Sequence, residues 1–243
     1  AVGFVVHCRI LLNGFNTLSK PAAELLRIPE LARPAWAIFD ASWYLSTYGE
    51  ARTCCGHETA LALDYYLRAG CRLGHSPSPL FDERFYLEQN LDIAALVRAG
   101  QYRSGFDHYC QHGYRGLSPH WLFDDTLYGR LYEDMSLENL DLHGCFGRYD
   151  HWLKSGQREA RIGHFMFDPQ YYRARVIEAG IALDDLEQRG PFVHYLYSLY
   201  RLDPELPPSP YFAPDWYTAA HETARDAIAA GRVRNALHHY QLH

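Results

Sequence analysis

The chain has 243 residues, 48% of them hydrophobic, enough to bury a sizeable core in one elongated domain. Its formal charge is −6 with a pI near 6.1, and its 23 Lys and Arg are scattered, so the basic face that nucleic-acid binding needs is missing. Six cysteines without a C-x-x-C pair and without recurring positions read as buried or free thiols in a reducing compartment, not as a disulfide framework.

The opening run Ala1 to Leu12 is apolar but short, and it carries His7, Cys8 and Arg9, whereas a spanning helix needs roughly 20 apolar residues. No cationic leader precedes a small-residue cleavage site, so it does not read as a signal peptide. Residues 1–38 are expected to form a capping or linking segment, helical over Ala22–Leu31 between Pro21 and Pro34. The missing initiator Met and the stop at His243 inside a repeated block predict a fragment of a longer polypeptide.

From Phe39 the chain says nearly the same thing five times. Phe39-Asp40-x-x-Trp43-Tyr44, Phe81-Asp82-x-x-Phe85-Tyr86, Phe123-Asp124-x-x-Leu127-Tyr128, Phe167-Asp168-x-x-Tyr171-Tyr172 and Phe212-Ala213-x-x-Trp216-Tyr217 start 42, 42, 44 and 45 residues apart. A second block follows each after 26 to 28 residues: Tyr65-Tyr66, His108-Tyr109, His151-Trp152, His194-Tyr195 and His239-Tyr240. A fixed period of this size marks a repeat array whose units bury apolar faces against their neighbours.

The first block decodes as a helix start. Asp is a strong N-cap because its carboxylate accepts a free N–H of the first turn. With Asp40 as cap, Phe39 precedes it and Tyr44 is the fourth helical residue, the hydrophobic-staple pairing. Pro169 and Pro214 fall at the first helical position, which tolerates proline. A second short helix follows, clearest at Asp92 to Gly100, and the second block is a third, such as Phe106 to His112. Gly70, Gly113 and Gly156 then suit a left-handed C-cap. Strand alternation is absent. The prediction is an all-α tandem repeat array of about 42–45 residues per unit, three short helices each. Its units are 39–80, 81–122, 123–166, 167–211 and a truncated 212–243.

The order Phe-Asp-x-x-Phe-Tyr-Leu-x-x-Asn-x-Asp-Ile-Ala at 81–94, then His108-Tyr109, Gly113-x-Arg115 and Pro119, resembles a tandem repeat of bacterial polysaccharide-biosynthesis proteins. That repeat often lies beside glycosyltransferase or rhamnan-synthesis modules. Leu91 replaces its usual proline, units three to five lose most of the Asn-Pro-Asp stretch, and Leu199 stands where unit four should have glycine. The resemblance implies an accessory region of a cell-surface glycan enzyme. Its partner would be a glycosyltransferase or other polysaccharide-assembly protein, with glycan as a second class. The chain would lie in the cytoplasm, held at the inner face of the membrane through partners. The resemblance brings no catalytic residues with it.

Three sets of side chains are candidates for chemistry. Tyr44, Tyr86, Tyr128, Tyr172 and Tyr217 suit sugar stacking along a groove, but their staple spacing also makes them core residues. Trp43, Phe85, Leu127, Tyr171 and Trp216 are expected in the core. Arg72, Arg115, Arg158 and Arg201, two residues past each glycine position, are expected to cap carbonyls or pair with an Asp of the next unit, an anionic sugar being the alternative. His108, His151, His194 and His239 recur once per unit, whereas catalysis needs unlike groups in one place; each imidazole is expected to be satisfied by a carbonyl or carboxylate. Asp184, Asp185 and His194 form the only catalytic constellation that merits a test. No cofactor or metal motif stands out: His57-Glu58 and His221-Glu222 lack the second histidine of a zinc-protease helix. Self-assembly by end-to-end stacking is a further reading.

Overall fold

The computed structural model describes residues 22–28, 33–199 and 205–243. Among these the chain is all-helical, with sixteen α-helices, three 3-10 turns and one π turn; the only β geometry is two isolated bridges, His164–Phe167 and Ser209–Phe212. Arg201 and Cys8 lie outside the described residues, as do the predicted helical positions 29–31.

After α1 (Ala22–Leu25), each predicted unit holds three α-helices. They are α2 (Ala41–Thr47), α3 (Gly49–Cys55) and α4 (Thr59–Arg68); then α5 (Glu83–Gln89), α6 (Leu91–Arg98) and α7 (Gly105–Gln111). Next come α8 (Asp125–Leu131), α9 (Leu137–Leu142) and α10 (Arg148–His151), the last running into the π turn Trp152–Gly156. The series ends with α11 (Pro169–Glu178), α12 (Asp184–Arg189), α13 (Pro191–Ser198), α14 (Pro214–Ala220), α15 (Glu222–Ala229) and α16 (Ala236–Leu242).

Capping sets where the first helix of each unit starts. Asp40, Asp82, Asp124 and Asp168 accept the N–H groups of Trp43, Phe85, Leu127 and Tyr171 at 2.9–3.0 Å. Ala213 offers no side-chain acceptor, and Pro214 at the first helical position instead presets the helical φ. The backbone N–H of each capping Asp closes its own unit by donating to a carbonyl of the turn that ends it: Asp40 to Pro77, Asp82 to Pro119, Asp124 to Gly163 and Asp168 to Pro208, at 2.9–3.1 Å. Three aromatic rings fill the space so enclosed. Phe39, Tyr44 and Tyr66 lie 5.1–5.7 Å from one another, and the same triangle forms at Phe81, Tyr86 and Tyr109 and at Phe167, Tyr172 and Tyr195. It forms again at Phe123, Tyr128 and Trp152 and at Phe212, Tyr217 and Tyr240. Edge-to-face contact of this kind is worth about 0.5–1.5 kcal/mol per pair beyond area burial.

Two expectations fail here. Gly70, Gly113 and Gly156 do not adopt the left-handed conformation; the positive-φ glycines that end second helices are Gly56, Gly100, Gly144, Gly190 and Gly231. What Gly70, Gly113 and Gly156 provide is space. A Cβ at each would lie 2.1–2.2 Å from the hydroxyl oxygen of Tyr44, Tyr86 and Tyr128 respectively. The second failure concerns Trp43, Phe85, Leu127 and Tyr171, which are half-buried and not core, and Trp216, which is exposed. Their position follows the cap by three residues and turns away from the ring triangle.

The chain divides into two compact units, the first made of residues 1–120 and 129–151, the second of 121–128 and 152–243. Within the first, the residues leading into Phe39 dock on later helices. Ala22 and Ala35 donate backbone N–H groups to Asp107 and Asp150, and Trp36 packs edge-on against Tyr109 at 4.9 Å. The Tyr149 hydroxyl reaches the Leu80 carbonyl at 2.7 Å, and Gly147, at φ +89°, lies so close to the Tyr114 carbonyl that a Cβ would meet it at 1.9 Å. Within the second, Gly190 fits in the same manner against Gln157, Trp152 packs on Phe192 at 5.8 Å, and Trp121 stacks flat on His238 at 4.6 Å.

Candidate functional site

The group that recurs with most chemical content is a buried tyrosine–histidine pair. Tyr86 meets His108, Tyr172 meets His194 and Tyr217 meets His239, each through the hydroxyl and Nδ1 at 2.8–2.9 Å and each 22 residues apart. The tyrosine comes from the fourth position of the first helix and the histidine from the third helix, so the pair pins the two together. Burial pushes all three phenols up, so the hydroxyl keeps its proton and donates it. Nδ1 is then the acceptor, and the imidazole carries its hydrogen on Nε2.

Burial also lowers the histidines. His112 adds to the effect at His108, while Asp92 and Asp107 oppose it. At His194 Asp185 opposes and Arg189 assists; at His239 His243 and His221 assist. These imidazoles are therefore neutral near pH 7. The expected carbonyl or carboxylate partner is replaced by a phenol.

The first unit solves the same problem differently. Its third helix carries Tyr65 at the histidine place, and the Tyr44 hydroxyl reaches His75, from the turn beyond, at 2.8 Å. Nε2–H of His75 donates to Glu50 at 2.9 Å, and Tyr48 stacks flat on the ring at 3.8 Å. Burial lowers His75 and Glu50 pulls the other way. Glu50 itself is held low, first by a backbone hydrogen bond at its own position and then by His75. This is the one described pair continued to the surface by a carboxylate. His75 is itself buried with both ring nitrogens engaged, so it offers no base to a substrate.

Buried polar groups at helix starts form a second recurring device. Glu83 accepts the N–H groups of Gly105 and Phe106 at the start of α7, at 2.5 and 2.9 Å, and burial nevertheless pushes its carboxyl up to about 8. Gln157 accepts the N–H of Phe192 at 2.8 Å at the start of α13. Glu205 receives the Tyr195 hydroxyl at 3.1 Å and the Asn235 amide at 2.5 Å, and burial pushes it to about 7. Nothing in the sequence pattern singles out Glu83 or Glu205. Only their distance from chain neighbours in the fold, to groups 22 and 30 residues away, exposes the role.

The five candidate stacking residues Tyr44, Tyr86, Tyr128, Tyr172 and Tyr217 are all buried and present no face to a sugar. Asp184 is exposed, Asp185 pairs with Arg189 at 2.6 Å and lies near enough to His194 to oppose the lowering that burial imposes, and His194 is buried with its Nδ1 on the Tyr172 hydroxyl. Arg72, Arg115 and Arg158 are exposed. Arg158 donates to the Lys154 and Gln188 carbonyls at 3.1 and 2.7 Å, and Arg115 donates to the Tyr114 hydroxyl at 3.1 Å. One open cleft of about 650 Å³ lies in the first compact unit, where Arg27 and Arg103 share its wall with Glu24 and Asp107. Arg103 already forks onto Asp107, and Arg27 pairs with Asp64 at 3.2 Å.

Among the described residues no group of three or more His, Cys, Asp or Glu is placed to hold a metal ion, and the five described cysteines are free thiols. No described helix is long and apolar enough to cross a membrane. No family model, no curated protein and no solved structure matches the chain.

Proposed function

We propose that the chain is a non-catalytic tandem array of helical modules that holds a protein partner, as an accessory region of bacterial surface-polysaccharide biosynthesis. The observation that carries the non-catalytic part is the commitment of the recurring polar side chains to the fold: the paired hydroxyl–imidazole groups are buried and closed on each other. The repeat reading is supported by five ring triangles at matching places and by four Asp-to-turn bonds that close their units. The polysaccharide assignment rests on the sequence resemblance over about 39–243, best matched at 81–119, alone.

Protein docking is favoured over glycan holding because the periodic aromatic faces lie inside. A repeat array distributes its contact surface over several modules, which suits a macromolecule. The immobilised chain is expected to capture a glycosyltransferase of surface-polysaccharide assembly and to give no heat on calorimetric titration with neutral or acidic oligosaccharides. Heat from an acidic oligosaccharide, lost on Arg103→Ala, would move the reading to glycan binding in the Arg27–Arg103 cleft. Glycosyl transfer or hydrolysis by the chain alone, abolished in His194→Ala, would replace it with an enzyme.

A further inference from the structure

Two helix starts in the second compact unit are held by different chemistry. At the start of α13, Gln157 accepts the N–H of Phe192 and gives its own amide hydrogens to the Leu153 and Arg189 carbonyls, at 2.8–3.3 Å. A neutral acceptor is enough there. At the start of α16 the acceptor is Glu205. Asn235 caps this helix, its amide oxygen taking the N–H of His238 at 2.9 Å. The Asn235 amide nitrogen donates to the Tyr195 hydroxyl at 2.9 Å and to Oε1 of Glu205 at 2.5 Å. Tyr195, on α13, donates its hydroxyl hydrogen to the same Oε1 at 3.1 Å, and the Ala236 N–H is a further donor to Glu205. Glu205, Tyr195 and Asn235 thus close a ring of hydrogen bonds that ties α13 to the capped end of α16, with Tyr195 and Asn235 both buried.

The setting of Glu205 differs from that of Glu83, the other glutamate at a helix start. Glu83 sits in the first turn of α5, almost wholly enclosed, with Gly105 and Phe106 on its two oxygens. Glu205 belongs to no helix and is half-buried, so its side chain has a route to solvent. The titratable groups that face it are Asp215 of α14, which repels its charge, and the phenols of Tyr195 and Tyr172. On α16 itself, His238 stacks on Trp121 with Nδ1 taking the Arg234 N–H, and His239 is closed on Tyr217. The donors favour an ionised Glu205, yet burial outweighs them and pushes its carboxyl from 4.5 to about 7. An ionised carboxylate gains by turning out to water, and Asn235 then loses the contact that orients its cap.

We propose that Glu205 is a proton-operated latch: neutral, it locks the Asn235 cap of α16 onto Tyr195 of α13; ionised, it swings out and frees the start of α16. The sign distinguishes this from histidine effects. A carboxyl raised in the folded state gives stability that is full below its ordinary value and is lost as pH climbs toward the raised one. His239, lowered by burial, acts the other way and loosens the same helix in acid.

Hydrogen exchange of the Ala236 and His238 amides in the 243-residue chain, corrected for the intrinsic rate, tests the latch. Opening is expected to rise up to about tenfold per pH unit between about 5 and 7, the limit for one proton, and to level off above 7. In Glu205→Gln, which keeps an acceptor and cannot ionise, that rise is expected to vanish. A second measurement needs no variant: the Asn235 side-chain amide, followed by NMR, should shift with a midpoint near 7. Opening that is flat or increases only toward acid overturns the proposal. So does a rise that survives in Glu205→Gln, or an Asn235 amide that does not respond near 7.

Discussion

The first and second segments bury the same tyrosine and give its hydroxyl an acceptor by different routes. Tyr86 finds His108 on the third helix of its own segment; Tyr44 finds His75 in the turn beyond, because Tyr65 occupies the third-helix place. In both, the hydroxyl presses on a glycine, Gly113 or Gly70. The phenol of the first helix keeps an acceptor in both segments. The hydroxyl of Tyr66, the third ring of the first triangle, is buried without a hydrogen-bond partner, so the pairing belongs to the first-helix tyrosine and not to every ring enclosed. The chain position of the acceptor is free to move. In both segments a histidine serves as the acceptor of the buried first-helix tyrosine.

The sharpest way to break this comparison is at the glycines. Gly113→Ala and Gly70→Ala each force a methyl into the hydroxyl of a fully buried ring, so each should cost about 3 kcal/mol in urea unfolding. No cost, or the gain of about 0.4–1 kcal/mol that Gly→Ala brings where the backbone allows it and nothing clashes, would show that the ring moves aside. Next in size are Tyr86→Phe and Tyr44→Phe. Each removes the donor and leaves a buried imidazole nitrogen unpaired, an expected loss of about 1–2 kcal/mol. If only one of them is destabilised, the two acceptors are not equivalent.

The pH dependence sharpens the comparison further. A histidine lowered by burial contributes stability that is full above its ordinary value near 6.5 and is lost as pH falls toward its folded value. His108 and His75 both belong to this class, and carboxylates oppose the shift at each, Asp92 and Asp107 at His108 and Glu50 at His75. Acid should therefore weaken both segments as pH falls below about 6.5, which hydrogen exchange read segment by segment would show. His164, pushed by burial to about 4, adds to the same limb. Glu83 works in the opposite direction. Its carboxyl is raised from 4.5 to about 8, so its contribution is full below about 4.5 and is lost as pH rises through about 8. Glu83→Gln should flatten that alkaline limb. The smallest effect expected is that of Glu50→Gln, which touches an exposed carboxylate. It should lower the His75 titration in NMR, with little change in unfolding midpoint.

How much of this could be read from the residues depends on range. The Asp caps and the Phe–Tyr staples were legible because their partners lie three and five residues apart, and helix geometry alone fixes such distances. The all-helical class was legible for the same reason. The tyrosine–histidine pairs were not, since nothing in a 22-residue interval says that two helices will cross with a hydroxyl facing Nδ1. Gly70, Gly113 and Gly156 were legible as required and misread as to why: a missing Cβ looks the same in sequence whether it frees φ or makes room for a neighbour's oxygen. Trp216 was misplaced because apolar character at a matching position was taken for burial, and its ring has no covering neighbour.

The amino-acid order by itself determined where helices begin, which aromatic follows each cap, and that the pattern returns at nearly constant intervals, because all of these are settled within one or two turns of backbone. Tertiary structure alone decided which acceptor each phenol meets, which carboxylates enter the interior, and which matching positions end up covered or bare. Those outcomes depend on what a distant stretch of chain brings to the same few ångströms, and on the cost of leaving a buried polar group without a partner.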